Sequence, residues 1–181
     1  MKSICITFLT CVIIILAVVG FTSVNLPNTE YLRIHIRANS NAQLDQQVKY
    51  KVKEDLVEYL TPILADCKTK QRAQEQLESQ LSKIEQVANK TLESNGYSYK
   101  AKAKINNEEF PTRVYGDLTL EKGFYDALIV ELGQGEGDNW WCVVYPPLCF
   151  VGQGEKYEYK SKLLEIISDF IDKEKNNEKN T

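Results

Sequence analysis

The side chains able to do chemistry are few, and their spacing suits none of the common reactions. His35 is the only histidine in the 181-residue chain. A hydrolytic triad or a zinc site would lean on it, and no second ligand or relay partner stands at a recognisable spacing. Asp117, Glu131 and Asp138 offer the carboxylates for a glycoside-cleaving pair, but they lie at predicted strand ends, where acidic residues are commonplace. Gly133, Gly135 and Gly137 alternate with polar residues. A dinucleotide fingerprint is G-x-G-x-x-G opening a helix; here the pattern is G-x-G-x-G, and a strand-like run follows. Glu136 and Asp138 are two carboxylates on one loop, more simply solvated than metal-binding. The expectation is no catalytic residue, no cofactor and no metal. Cys142 and Cys149 flank Pro146 and Pro147. In an oxidising compartment they could pair, closing a short loop with a stabilisation of roughly 2–3 kcal/mol. The alternative is two buried thiols acting as small apolar residues.

The elements around these residues follow from charge and periodicity. Net charge is −3, which gives no reason to expect a nucleic-acid partner. Lys2 precedes an apolar run over residues 4–24, near the roughly 20 residues needed to span a bilayer. Residues 1–24 are predicted to be a signal peptide or an uncleaved signal-anchor transmembrane helix, with the rest of the chain exported. Residues 25–30 form a linker, residues 31–172 a single extracytoplasmic domain, and residues 173–181 a charged, disordered tail.

Within the domain, residues 31–37 alternate. Leu32, Ile34 and Ile36 fall on one side; Arg33, His35 and Arg37 fall on the other and are expected to face solvent or an acidic partner. Ser40 and Gln43 fit a capping box. Leu44, Val48, Val52, Leu56, Tyr59 and Leu60 then make the stripe of an amphipathic helix that Thr61-Pro62 kinks or ends. A second helix follows Thr69 and stops at Asn95-Gly96. Residues 97–105 alternate with lysines on one face, a device that protects an exposed sheet surface or edge. Residues 117–120 and 124–132 read as a hairpin. Residues 140–145 are a strand stopped by the proline pair, and a last helix follows Gly154. The fold class expected is α+β: a mostly antiparallel sheet packed against two long helices and a C-terminal helix.

Three short segments carry a resemblance. They are Ile36-Arg37-Ala38-Asn39-Ser40; Phe110-Pro111-Thr112-Arg113 with Tyr115-Gly116; and Asn139-Trp140-Trp141-Cys142-Val143 with Pro146-Pro147-Leu148-Cys149. In these the chain resembles the stage II sporulation protein R family of spore-forming Firmicutes. The order of the segments and the N-terminal apolar run match as well. One departure is Asn41, where that family usually carries Asp.

The resemblance implies a signalling protein and not an enzyme. Members are made in the forespore and exported into the space between the two membranes of the sporangium. There they trigger a membrane-embedded aspartic protease of the opposing membrane, which removes the pro-sequence of the sigma-E transcription factor. Arg37, Asn39, Arg113, Tyr115, Trp140 and Trp141 are the candidate partner contacts, since several are of the types that dominate interfaces. Competing readings are that the tryptophans and the proline turn simply build core, that the chain is an anchored binding module working through its basic strand face, or that it is a wall hydrolase.

Overall fold

The computed structural model describes residues 30–115, 118–150 and 157–178. The segment predicted to enter or cross the membrane lies outside these residues. Among the described residues no helix is long and apolar enough to cross a membrane.

Among the described residues, six strands and three helices follow one another as β1 (Leu32–Arg37), α1 (Gln43–Leu64), α2 (Lys70–Ser94), β2 (Ala101–Phe110), β3 (Arg113–Tyr115), β4 (Leu118–Leu120), β5 (Gly123–Leu132), β6 (Asn139–Tyr145) and α3 (Tyr157–Glu178). The α+β class is as expected. The sheet is mixed: two of its three strand pairings are antiparallel, as expected for most of it, and the central one is parallel. Its order is β2-β5-β1-β6, with β1 parallel to β5 and antiparallel to β6. The reason is topological. β5 and β6 are joined by the short glycine loop but do not pair; they straddle β1, and the loop passes over its C-terminal end.

The hairpin expected between residues 117–120 and 124–132 does not form. β5 is ten residues long and pairs along its whole length with β2, from Ala101↔Leu132 to Phe110↔Gly123. The three residues of β4 instead pair with β3 as a separate two-stranded ribbon. A ten-residue partner outcompetes a three-residue one, because cross-strand pairs accumulate along the ladder.

The helices cover one face of the sheet. Val48, Val52, Leu56 and Leu60 of α1 and Ala73, Leu77, Ile84, Ala88 and Leu92 of α2 are buried together with Leu32, Ile34, Ile36, Leu128 and Val130. Leu44, counted above in the apolar stripe, is instead 67% exposed. Pro62 sits in the last turn of α1, which it does not interrupt; Thr61 Oγ1 donates to Val57 O at 2.6 Å. Thr69 caps α2 by accepting from Arg72 N, and Gly96, at φ 82°, closes it with Tyr97 N donating to Leu92 O. This is the glycine-terminated helix end the sequence predicts. At the start of α1 the expected capping box is absent. The N-cap is Ala42, with no side-chain cap bond, and Ser40 Oγ turns to Asp45 Oδ2 at 2.6 Å. Helix α3 continues to Glu178, past residue 173 where a disordered tail was expected.

β2 is an edge strand with Lys102 and Lys104 exposed on it, in keeping with the protective role read from the lysines. Two of its amides are also occupied by helix α2: Ala101 N donates to Asn89 Oδ1 at 2.7 Å and Ala103 N to Glu85 Oε1 at 2.9 Å. Side chains of α2 thus blunt this edge against strand addition.

Candidate functional site

The face of β1 expected to meet solvent is buried. Arg33 and His35 are 0% and 1% exposed. The sheet pairs explain why. β1 lies between β5 and β6, so its second face is flanked by theirs: His35 stands beside Ile129 and Trp141, and Arg33 beside Ala127 and Val143. Phe110, from the end of β2, then roofs the pair. Its ring centroid is 5.4 Å from that of His35, 4.7 Å from Trp141 and 5.9 Å from Tyr125, and the Arg33 guanidinium carbon lies 4.3 Å from it. Tyr125 and Tyr115 complete the cover over Arg33, at 4.8 and 5.8 Å. The result is a second, aromatic layer on the sheet face away from α1 and α2. Its cation–π contacts are of the desolvated kind, which are the stronger ones.

The polar groups in this layer divide sharply. Arg37 is clamped by two carboxylates, Glu131 at 2.8 Å and Glu108 at 2.6 Å, and Glu131 also meets Lys104 at 3.2 Å. Arg33 has one partner, the Tyr115 hydroxyl, which accepts from Nη2 at 2.9 Å. Its Nε and Nη1 are buried without partners, as are both ring nitrogens of His35. Burial pulls the Arg33 guanidinium below its ordinary pKa, against smaller opposing effects of Tyr115 and Tyr125. Glu108 lies 3.4 Å from His35 Nε2, but the imidazole is uncharged at neutral pH. Burial, reinforced by Arg37, Lys104 and Arg33, pushes its pKa down to about 3.

That depression has a pH signature. The unfolded imidazole titrates near 6.5, so between there and about 3 the unfolded chain holds a proton that the folded chain refuses. The stability contributed is fully present above pH ~6.5 and is lost as pH falls towards 3, by up to roughly 5 kcal/mol at the acid end. His35→Leu is expected to flatten the loss between pH ~6.5 and ~5, above the range where carboxylates titrate. Urea midpoints across that range measure it, and an unchanged slope would clear His35 of the effect.

A second polar cluster fixes the glycine loop. Asp45 accepts from Asn39 Nδ2 at 2.8 Å, Ser40 Oγ at 2.6 Å and Tyr99 Oη at 2.8 Å. Burial would raise its pKa, but these hydrogen bonds outweigh that and hold it below the usual carboxylate range. Asn39 Oδ1 accepts from Gln134 N at 3.0 Å, Gly137 N donates to Ala38 O at 2.9 Å, and Asn41 Oδ1 accepts from Asp138 N at 2.6 Å. The buried Lys49 donates to Asp138 O at 2.8 Å. The residues at 38–41 and the glycines are therefore one latch across the end of β1. Asn41 acts here as a backbone acceptor and not as a helix cap.

The structure places the candidate contacts in four positions. Tyr115 and Trp141 belong to the aromatic layer. Arg37 and Asn39 sit at its end, occupied by Glu108 and Glu131 and by the latch. Trp140, half-exposed, has Lys53 Nζ 6.0 Å from its ring centroid. Arg113 is exposed on the ribbon beside Val114, itself 66% exposed. Of the carboxylates considered for hydrolysis, Glu131 is engaged with Arg37 and Lys104, and Asp117 lies outside the described residues. Cys142 and Cys149 are positioned as a disulfide with Cα atoms 6.3 Å apart, within the range a disulfide needs. The Tyr145-Pro146 bond is cis. Strand alternation puts Arg33 and His35 together but on a face expected to be exposed, and it does not single out Glu108. The excess of aromatic residues at Phe110, Tyr115, Tyr125 and Trp141 is the signal that could have found them, since so many rings need a face to cover.

Such a molecule is an α+β domain whose distinctive side chains are spent on a covered sheet face and a loop latch, not gathered around a cleft. The chain belongs to the family described as Stage II sporulation protein R, which matches residues 28–155. A protein of Bacillus subtilis (strain 168) described as Stage II sporulation protein R is 34% identical over 120 residues, which is 66% of this chain and 54% of that protein. The chain thus matches about half the length of that relative. No solved structure matches it.

Proposed function

We propose that this chain is an intercompartmental signal in sporulation. Its N-terminal apolar segment exports it from the forespore into the intermembrane space, where it binds and activates a membrane-embedded aspartic protease in the opposing membrane. That protease then processes the pro-sigma-E transcription factor. The protein acts by contact, and no bond is made or broken by its own side chains. Family membership is the observation that carries this reading. Two features support it. Cysteines 142 and 149 are placed to pair, as suits an exported protein. The ribbon presents Arg113 and Val114 outward, an interface-like combination of cation and apolar side chain. Activation requires that the chain bind the active form of the protease better than the inactive one.

The test is co-expression of the full chain, the candidate protease and its pro-factor in a non-sporulating host. Processing is expected only when all three are present; processing without this chain, or none with it, overturns the reading. Arg113→Ala is exposed enough to leave the melting temperature unchanged and is expected to cut processing by about 10- to 30-fold, the size of one interface hot spot. Trp140→Ala, half-exposed, is expected to do the same. Full processing by a folded variant removes that residue from the contact surface.

A further inference from the structure

Arg33 and Arg37 stand four residues apart on the same face of β1, with His35 between them, yet their surroundings are opposite. Arg37 is met by two carboxylates. Around Arg33, among the described residues, no carboxylate comes within ion-pair distance; its neighbours are the rings of Phe110, Tyr115 and Tyr125 and one phenol oxygen. A guanidinium removed from water with two nitrogens unpartnered is costly, and a chain selected only for stability replaces it with an apolar residue at little loss. Nε and Nη1 are left over, and Nη2, held by Tyr115, is the member that either two-bond carboxylate contact needs: Nε with Nη2 on the side edge, or Nη1 with Nη2 at the end. His35, with neither ring nitrogen hydrogen-bonded and Glu108 3.4 Å from its Nε2, is its neighbour on that face.

The cover over Arg33 is weakly built. The ribbon is two strands of three residues that pair only with each other. Two-stranded ribbons of this size are marginal alone. Tyr115 supplies the one hydrogen bond from the ribbon to the guanidinium.

We propose that Arg33 is a docking site for a carboxylate of the activated partner protein, an acidic side chain that displaces the Tyr115 hydroxyl from Nη2 and takes Nη2 together with the free Nε. This rests on the reading above for the identity of the partner, but not for the site itself. Arg37 does not compete for the same group, because Glu108 and Glu131 already neutralise it.

Two measurements on the full chain keep site and function separate. In the first, sodium chloride is exchanged for sodium acetate at fixed ionic strength, acetate serving as the carboxylate probe. The wild-type melting temperature is expected to rise, by about 3 °C once acetate reaches ten times its Kd. Tyr115→Phe, which loses the competing hydroxyl, should rise further, and Arg33→Met should not rise. A wild-type response no larger than that of Arg33→Met overturns the site. In the second, Arg33→Met in the co-expression assay is expected to lose processing at least tenfold while accumulating at wild-type levels, with Arg33→Lys in between. A folded Arg33→Met that processes fully overturns the docking role and leaves the function standing. If wild type gives no processing, the function falls and the acetate series still decides the site. If Arg33→Met does not accumulate, Arg33→Lys takes its place in both series, with the same outcomes for and against.

Discussion

Phe110→Ala is expected to lower stability by about 3–5 kcal/mol, the upper range for truncating a buried ring. Phe110 is 0% exposed and makes ring contacts to His35, Trp141 and Tyr125 while lying over the Arg33 guanidinium. Truncation opens a cavity bounded by a cation and an uncharged imidazole, neither of which gains a partner from the vacancy. Water entering there would solvate Arg33, so part of the loss is recovered; the cation–π contact and the ring packing are not. Phe110→Leu keeps most of the volume and is expected to cost less than half as much. Urea midpoints measure both. Trp141, 4.7 Å from Phe110 by ring centroids, supplies a second readout, since its fluorescence should shift red in the alanine variant alone. A loss under about 1 kcal/mol for Phe110→Ala would mean that the outer face is not a packed layer, and the burial argument for Arg33 and His35 would go with it.

What strand and helix periodicity made legible is the helix-facing half of the molecule. Leu32, Ile34 and Ile36 alternate as they must to reach the core, and the α2 stripe from Ala73 to Leu92 is buried as its spacing requires. Thr69 and Gly96 mark helix ends because their local chemistry suffices: a hydroxyl accepting an orphan amide, and a residue free to take positive φ. The outer face was not legible, because alternation tells which side chains share a face but not what else covers it. Arg33 and His35 are polar and so were placed in water. Three strands and the end of β2 decide otherwise, and those contacts join residues more than 70 positions apart along the chain. Strand pairing failed for a related reason. Proximity in sequence favoured residues 117–120 as the partner of 124–132, whereas β2 offers ten pairs to β5. Tyr115 and Trp141, interface types by residue identity, are layer residues, while Glu108 carries no signature in a lysine-bearing strand until Arg37 is brought opposite it.

The glycine loop has the most specific structural explanation, and it yields a sharp comparison. The alternating glycines read from the sequence as freedom to turn, but the three do different things. Gly133 and Gly135 adopt φ of 59° and 66°, where side chains are disfavoured. Gly137 has ordinary φ, and what it needs is space. A Cβ there would run into the carbonyl group of Ser40 and stand 2.9 Å from the Ala38 Cβ. Those are backbone and a short side chain, which cannot swing away. Gly137→Ala must therefore lift the loop from the end of β1. That breaks the Gly137–Ala38 bond and strains the Asp138–Asn41 bond, and it withdraws the Asp138 carbonyl from the buried Lys49. Overpacking of this kind and the lost hydrogen bonds together are expected to cost about 2–4 kcal/mol. Gly135→Ala meets only ordinary contacts, the nearest the Glu131 Cβ at 3.5 Å; it carries the left-handed backbone penalty alone, about 1–2 kcal/mol. Urea unfolding of the two variants side by side is the measurement. Gly137→Ala should be the less stable although its backbone is the less unusual. The reverse order would mean that the loop rides free of β1, and that Asn39, Ser40 and Asp45 hold only the start of α1.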